Sequence, residues 1–126
     1  MDAPVLDQAE LAILGHCVED YCGATELMWT LQRLMPGMAN RALLVRREMT
    51  ILERFLSEQL ITAYVKSADP AAPFTAAERT VDAVLAAVER EHLINPDAPP
   101  ERTYWFAATP AGVAAYFDEQ RRARTG

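Results

Sequence analysis

The chain has 126 residues, of which 51% are hydrophobic, and a formal net charge of -6, so it is long enough for one compact domain with a buried core. No apolar run approaches the roughly 18 residues that a membrane span needs, and residues 1–6 do not form a secretory signal; we therefore expect a cytoplasmic protein. The negative charge excludes binding to nucleic acid through a basic surface spread over the whole molecule, because such binding depends on Lys and Arg neutralising phosphates.

The amino-terminal segment predicts two amphipathic helices. Asp7 and Glu10 have the spacing of a capping box, and apolar residues recur at helical spacing over residues 8–21. A second apolar stripe covers residues 25–34, and a Pro-Gly pair beginning at Pro36 ends it. We expect two helices separated by a short break.

A third and longer helix is predicted to begin after Asn40, which has a side chain suited to an N-cap. Apolar residues fill one half of its helical wheel. Glu48 falls in that apolar half, which indicates either a partner across an interface or a position at the helix edge. The opposite half is a polar surface with three arginines, a threonine and a serine. These residues are Arg46, Arg47, Thr50, Arg54 and Ser57.

This third helix lies in the one segment of the chain with a positive net charge. Residues 40–66 carry five basic and three acidic side chains, whereas residues 1–39 carry one basic and six acidic ones. Residues 67–126 carry six basic and nine acidic side chains. If the chain contacts phosphate, we expect the contact in residues 40–66.

The next elements are a strand, a loop and a fourth helix. Residues 60–65 are β-branched and aromatic in character, which favours an extended conformation. Residues 68–74 contain two prolines and predict a loop. Thr75 and Glu78 have the spacing of a second capping box, which predicts an amphipathic helix over residues 76–92.

The last part of the chain predicts a strand followed directly by a closing helix. The proline-rich residues 95–100 indicate a loop, and the aromatic run at residues 104–106 has the composition of a short, half-buried strand. Thr109 then stands where an N-cap belongs and Pro110 at the first helical position. A helix is therefore expected over residues 111–122.

Several of these segments resemble winged helix-turn-helix regulators of the PadR-like and MarR-like families. The resemblance begins with Leu-Ala-Ile-Leu-Gly at residues 11–15 and the apolar stripe of the second helix. It continues with the leucine-rich helix and Leu-Ile pair at residues 51–61, and with residues 104–112, which end in Thr-Pro-Ala-Gly. In those families a leucine-rich helix leads into the strand that opens a β-wing, and a second strand closes the wing before the next helix. Together these pieces cover about two thirds of the chain.

The resemblance implies a fold class and a function. The fold is mainly α and winged-helix-like, with about five helices and a two- or three-stranded antiparallel ribbon in a single domain over residues 1–126. The function is that of a small, non-enzymatic regulator of transcription that binds double-stranded DNA as a homodimer, without a cofactor.

Each part of that function is assigned to residues of this chain. The contacts to DNA are expected from Arg41, Arg46, Arg47, Thr50 and Arg54. The wing is expected to present Arg102, Tyr104 and Trp105. The dimer interface is expected on the fourth helix and on a closing helix at residues 110–124, through Val81, Val84, Leu85, Val88, Val113, Tyr116 and Phe117.

One feature departs from the pattern of the family, because residues 68–100 place a whole helix between the two wing strands. In one arrangement the wing is interrupted by this helix, and the third helix is the recognition helix. In the other, residues 76–108 form the helix and wing that bind DNA, and Arg79, Arg90 and Arg102 lie nearer to it. We prefer the first because the exposed face of the third helix is net basic.

Three other interpretations compete with DNA binding. The arginine face can be an ordinary solvated helix surface with intrahelical ion pairs such as Arg54 with Glu58. The whole chain can be an acidic winged-helix module that binds another protein, as an adaptor, accessory subunit or inhibitor, and does not bind DNA. It can also be a ligand-responsive or redox sensor that uses Cys17 and Cys22.

A metal centre is not expected, although imidazole and thiolate side chains occur close together near the end of the first helix. A structural zinc site needs four ligands. His16, Cys17 and Cys22 supply three, and a fourth is missing unless the distant His92 contributes. The two cysteines are expected to be reduced thiols that pack in or near the core.

Overall fold

The computed structural model describes residues 5–38, 40–67, 69, 71–77, 80–94 and 102–125. These residues form a mainly helical fold with five helices and a small antiparallel sheet, which confirms the predicted fold class. The helices are α1 (Gln8–Glu19), α2 (Ala24–Leu34), α3 (Arg41–Ser57), α4 (Val81–Ile94) and α5 (Pro110–Thr125). The strands are β1 (Cys22–Gly23), β2 (Ile61–Ser67), β3 (Thr75–Ala76) and β4 (Arg102–Ala108).

The sheet has the strand order β1-β4-β2-β3, so it contains four strands within the described residues rather than the predicted two or three. Strands β2 and β4 pair along their whole length, from Ile61 opposite Ala108 to Ser67 opposite Arg102. This layout is compatible with a winged helix, in which β2 follows the third helix and β4 precedes the closing helix. In the sequence, β3 and α4 come between β2 and β4. The ribbon formed by β2 and β4 is therefore interrupted along the chain by a helix.

Local capping interactions fix three of the helix starts. Asp7 and Glu10 form the expected capping box at α1. The Asn40 side chain accepts hydrogen bonds from the first backbone N–H groups of α3. The Thr109 hydroxyl accepts a hydrogen bond of 3.1 Å from the backbone N–H of Gly112 at α5. The capping predictions at these three positions are confirmed.

Helix α4 begins later than predicted. Thr75 belongs to β3, where it pairs with β2, and the helix starts at Val81. The cap is supplied instead by Thr80, whose hydroxyl accepts a hydrogen bond of 3.2 Å from the N–H of Ala83. The edge of β2 that faces away from β4 offers unpaired backbone groups, and pairing with them takes these residues away from the helix. Glu78, the other half of the expected capping box, lies outside the described residues.

The core lies between the helices and one face of the sheet. Tyr104 and Phe106 of β4 point into it, and Trp105 points to the outer face, as the alternation of a half-buried strand requires. On that outer face Trp105 packs edge to face against Phe74, and the Phe74 ring stacks on Tyr21. The fully buried side chains include Ile13, Leu14, Leu27, Leu31, Ile51, Leu52 and Phe55.

Helix α4 packs closely against α3 and contributes to the same core. Val84 and Val88 are buried within the chain. These two side chains were expected at a dimer interface, but they already fill the space between helices and leave no surface for a second copy. Of the helices that the structure describes, none combines the length and the apolar character needed to cross a bilayer.

Candidate interaction surface on the third helix

Helix α3 presents one side to the core and the other to solvent. Its apolar side is buried against α2, α4 and the start of β2. The opposite side is a row of exposed side chains at helical spacing. We call this row the outer stripe, and it consists of Leu43, Arg46, Thr50, Glu53 and Ser57.

Two of the five expected DNA contacts lie on the outer stripe. Arg46 is exposed, and no ion-pair partner for it occurs among the residues that the structure describes. The Thr50 hydroxyl donates a hydrogen bond of 3.0 Å to the carbonyl oxygen of Arg46, which holds the side chain against its own helix. Because both residues are exposed, the Arg46 guanidinium and the oxygen and methyl group of Thr50 can be reached by a partner that approaches α3 from solvent.

Two other arginines of α3 pair with the first turn of α1. Arg47 donates from Nη2 to the Oδ2 atom of Asp7. Arg54 donates from Nη1 to the Oε2 atom of Glu10 at 2.5 Å. We call these four residues the carboxylate clamp. It ties the start of α1 to the middle and the end of α3.

Each carboxylate of the clamp accepts two hydrogen bonds, one from the backbone and one from an arginine. Oδ1 of Asp7 accepts the backbone N–H of Glu10 at 2.8 Å, and Oε1 of Glu10 accepts the backbone N–H of Asp7 at 3.0 Å. The second oxygen of each carboxylate accepts the arginine. Although burial on its own would raise the pKa of Asp7, the N–H of Glu10 and the Arg47 guanidinium hold it below its ordinary value. The carboxylate therefore stays ionised at neutral pH.

Arg54 has further partners beyond the clamp. Its Nη2 donates to the carbonyl oxygen of Val5 at 3.0 Å, and its Nε donates to Oε2 of Glu58 at 2.8 Å. The intrahelical pair with Glu58 is the one that the helical spacing indicated. The hydrogen bond that Arg54 donates to Glu10 is the main cause that raises the pKa of the Arg54 guanidinium. Each of the three guanidinium nitrogens of Arg54 therefore donates one hydrogen bond within the chain.

Arg41 also donates a hydrogen bond to another element of the chain. It is half-buried at the start of α3, and its Nε donates to the carbonyl oxygen of His92 at 3.3 Å, near the end of α4. The structure thus brings only Arg46 and Thr50 of the five expected contacts to the outer stripe. Since the stripe also carries Glu53, its own charges balance.

Two buried titratable side chains lie beneath this surface, between α3 and α4. Glu48 is fully buried, and its Oε2 atom lies 2.9 Å from Nε2 of His92, which is buried as well. Apart from this short contact, no described side chain or backbone group satisfies the two Glu48 carboxylate oxygens or Nε2 of His92. Burial is the main cause that raises the pKa of Glu48. This carboxyl has a partner across a helix interface within the chain, which is one of the two alternatives that the sequence left open.

The residues expected on the wing occupy different places. Tyr104 is buried in the core and is not available to DNA, because inward and outward side chains alternate along β4. Trp105 is half-buried on the outer face of the sheet. Arg102 belongs to β4, but its side chain lies outside the described residues. In the alternative arrangement, Arg90 is exposed on α4, and Arg79 lies outside the described residues.

The residues expected at a dimer interface outside the core are spread over two helices. On α4, Val81 and Leu85 are half-buried. On α5, Val113 and Tyr116 are half-buried, and the Tyr116 ring packs against Gly15 of α1. Among these side chains Phe117 is the one that reaches far into solvent, with 49% of its surface exposed.

An apolar groove adjoins one end of the outer stripe. It has a volume of about 540 Å³ and follows the turn between α2 and α3. Leu43 belongs to both the groove and the stripe, and 47% of its surface is exposed. The lining residues are Met35, Gly37, Met38, Asn40 and Leu43. This part of the surface suits a hydrophobic side chain of a partner.

The two cysteines are buried reduced thiols. Burial raises the pKa of Cys17 to about 12 and is also the main cause that raises the pKa of Cys22. Cys22 lies 3.4 Å from Oε2 of Glu26, a carboxylate that disfavours the thiolate further. Within the described residues no three His, Cys, Asp or Glu side chains are placed to share a metal ion.

We expect neither thiol to react with iodoacetamide in the folded protein at pH 7.5, because alkylation requires an accessible thiolate. Mass spectrometry after a timed exposure checks this, with urea-unfolded protein as the control that must gain two adducts. Rapid modification of Cys17 or Cys22 in the folded chain would instead revive the redox-sensor interpretation.

Sequence reasoning missed the residues that hold the arginines in place. Asp7 and Glu10 were identified as caps of α1, but nothing in the sequence indicated that their second oxygens contact α3. His92 was likewise not identified as the partner of Glu48. A charge in the apolar half of a helix was the one available signal, and it pointed to a partner without saying which.

Comparisons with family models, with curated proteins and with solved structures found no match to this chain. The resemblance to PadR-like and MarR-like regulators therefore stays a prediction.

Proposed function

We propose that this protein is a small DNA-binding regulator of transcription that reads a duplex with the outer stripe of α3. The observation that carries the proposal is the exposed face of α3 in a winged-helix-like layout, with Arg46 and Thr50 directed away from the core. The major groove of B-DNA admits an α-helix. Arginine can donate two hydrogen bonds to guanine there, and threonine can contact base edges or a thymine methyl group.

The protein is expected to act as a homodimer, since regulators of this kind read two half-sites through a two-fold axis. Because Val84 and Val88 belong to the core, the interface has to use other residues. The exposed Phe117 makes the outer face of α5 the better candidate for it.

We expect Arg46→Ala to weaken specific DNA binding by a factor of about ten or more, since a bidentate contact to a base contributes about 1–3 kcal/mol to discrimination. Fluorescence anisotropy would measure this with labelled duplex from the region upstream of the protein's own gene. A random duplex is titrated in parallel, and both titrations are repeated at two salt concentrations.

The matched control is Arg90→Ala, which removes the same charge from the exposed face of α4. If Arg90→Ala weakens binding and Arg46→Ala does not, the fourth helix and the wing bind DNA and our assignment of α3 is wrong. Absence of binding to either duplex at low salt would contradict the regulator altogether.

A second candidate function is binding to another protein, and the surface beside α3 favours it. The apolar groove with Leu43 adjoins a stripe whose charges balance, and the chain as a whole carries -6. A basic partner that inserts a hydrophobic side chain would fit this combination. Failure of the protein to bind DNA at low salt would make this the leading function.

A further inference from the structure

The carboxylate clamp leaves no acceptor oxygen of Asp7 or Glu10 unused. Two oxygens close the capping box of α1, and the other two accept Arg47 and Arg54. A capping box needs only the first two of these contacts. The contacts to the arginines are therefore additional to what the start of α1 requires.

The clamped arginines lie beside the outer stripe. Arg47, Thr50 and Arg54 follow one another at intervals of three and four residues, so they share one side of α3. Both guanidinium groups are partly exposed at the edge of the surface that carries Arg46. A duplex seated on the outer stripe would bring its phosphates to this edge, because the phosphate backbone flanks the major groove.

We infer that Asp7 and Glu10 are internal substitutes for phosphate, which compensate the positive charges of Arg47 and Arg54 until DNA phosphates displace the two carboxylates. This inference rests on the proposed function and concerns its regulation. Without DNA, the clamp leaves α3 with little free positive charge and suppresses non-specific binding, which depends on phosphate contacts. On a specific site, the arginines exchange their single hydrogen bonds to carboxylate for contacts to phosphate, an anion that guanidinium groups can bind in bidentate fashion.

The two halves of the clamp differ in how readily they open. The Asp7 side chain is 52% exposed, so its pair with Arg47 is screened by solvent and is weak. The Glu10 side chain is only 10% exposed, and its partner Arg54 also donates hydrogen bonds to two other acceptors within the chain. Arg47 is therefore expected to exchange first, and Glu10 to account for most of the suppression.

The test removes the two negative charges and keeps the cap. In Asp7→Asn with Glu10→Gln, the new side chains retain oxygens that can accept the same backbone N–H groups, because Asn is a good N-cap and Gln serves in capping boxes. We expect this double variant to bind random duplex at least tenfold more tightly at low salt than wild type. The slope of log affinity against log salt should steepen by about two, since each added phosphate contact contributes about 0.9.

The control is Asp82→Asn with Glu89→Gln, which makes the same change in net charge on the exposed side of α4. If the control variant gains the same affinity for random duplex, the gain is a general effect of net charge and the inference about the clamp is wrong. Circular dichroism melting confirms that both double variants fold. Should the Asp7 and Glu10 variant melt early, Glu10→Gln alone replaces it, with a slope expected to steepen by about one.

The outcomes separate the clamp from the function that it regulates. Tight binding by the double variant with weak binding by wild type supports both. If wild type binds its upstream duplex with specificity and the double variant shows the same slope, the clamp is wrong and the regulator stands. If neither protein binds any duplex at low salt, the proposed function fails and the clamp fails with it.

Discussion

Replacing Gly112 by alanine should destabilise the protein by about 3 kcal/mol, at the upper end of what overpacking usually costs. A β-carbon at this position would lie 1.9 Å from the carbonyl oxygen of Leu60 and 2.9 Å from its carbonyl carbon. These are backbone atoms and cannot rotate away as the end of a long side chain can. The first turn of α5 would have to move off the junction between α3 and β2.

This junction is held by hydrogen bonds that such a movement would break. The backbone N–H of Thr109 donates to the carbonyl oxygen of Leu60 at 3.0 Å, and the Thr109 hydroxyl donates to that of Gln59 at 2.6 Å. The close approach gives the Thr-Pro-Ala-Gly segment a physical meaning. Threonine caps the helix and anchors it to Gln59, and glycine provides the room for that anchor.

Urea denaturation of Gly112→Ala and of Gly37→Ala would test the prediction. Gly37 lies in the turn after α2, where an added β-carbon meets nothing within 4 Å. Its substitution should change stability by less than about 0.5 kcal/mol, as surface substitutions usually do. Equal stability of the two variants would show that α5 can shift at no cost.

The sequence predicted those parts of the fold whose causes are local. The caps at Asp7, Asn40 and Thr109 were identifiable because each acts on backbone groups no more than three residues away. The start of α4 was not, since the residues that the sequence placed in its first turn pair instead with β2. Thr75 has a side chain suited to a helix cap, but its backbone pairs with the edge of β2 instead.

The candidate site was predictable only as a face of a helix. The spacing of residues correctly separated the polar half of α3 from its apolar half. Which arginines on that half are free depends on residues 40 and 44 positions away in the sequence, where Asp7 and Glu10 lie. The net charge of residues 40–66 counts these arginines as free positive charge, whereas in the fold the carboxylates in the first turn of α1 compensate that charge.

We expect His92→Leu to destabilise the protein by about 3–5 kcal/mol at pH 7.5. Removing one member of a buried ion pair leaves the other uncompensated, which is far more costly than losing the pair as a whole. Glu48 is fully buried, and no other described group satisfies its carboxylate oxygens. Without His92, the folded chain must either hold an unpaired charge between α3 and α4 or keep the carboxyl protonated.

The cost in this variant should depend on pH with a known sign. Burial raises the pKa of Glu48 in the folded state, and His92 opposes that rise. Without the imidazole, the pKa of the folded state is higher still, while that of the unfolded state remains near 4.5. The folded chain then binds more protons than the unfolded chain, so its stability falls as pH rises above about 4.5, by up to about 1.4 kcal/mol per pH unit.

The double variant Glu48→Leu with His92→Leu isolates this effect. Well-packed apolar side chains usually replace a buried pair without loss, so its stability at pH 7.5 should lie within about 1 kcal/mol of wild type or above it. The double variant lacks the Glu48 carboxyl, and its stability relative to His92→Leu should therefore increase between pH 5 and pH 8. Urea denaturation across that range measures the difference. A constant difference would mean that the pKa of Glu48 in His92→Leu is the same in the folded and unfolded states, and that burial between α3 and α4 does not perturb this carboxyl.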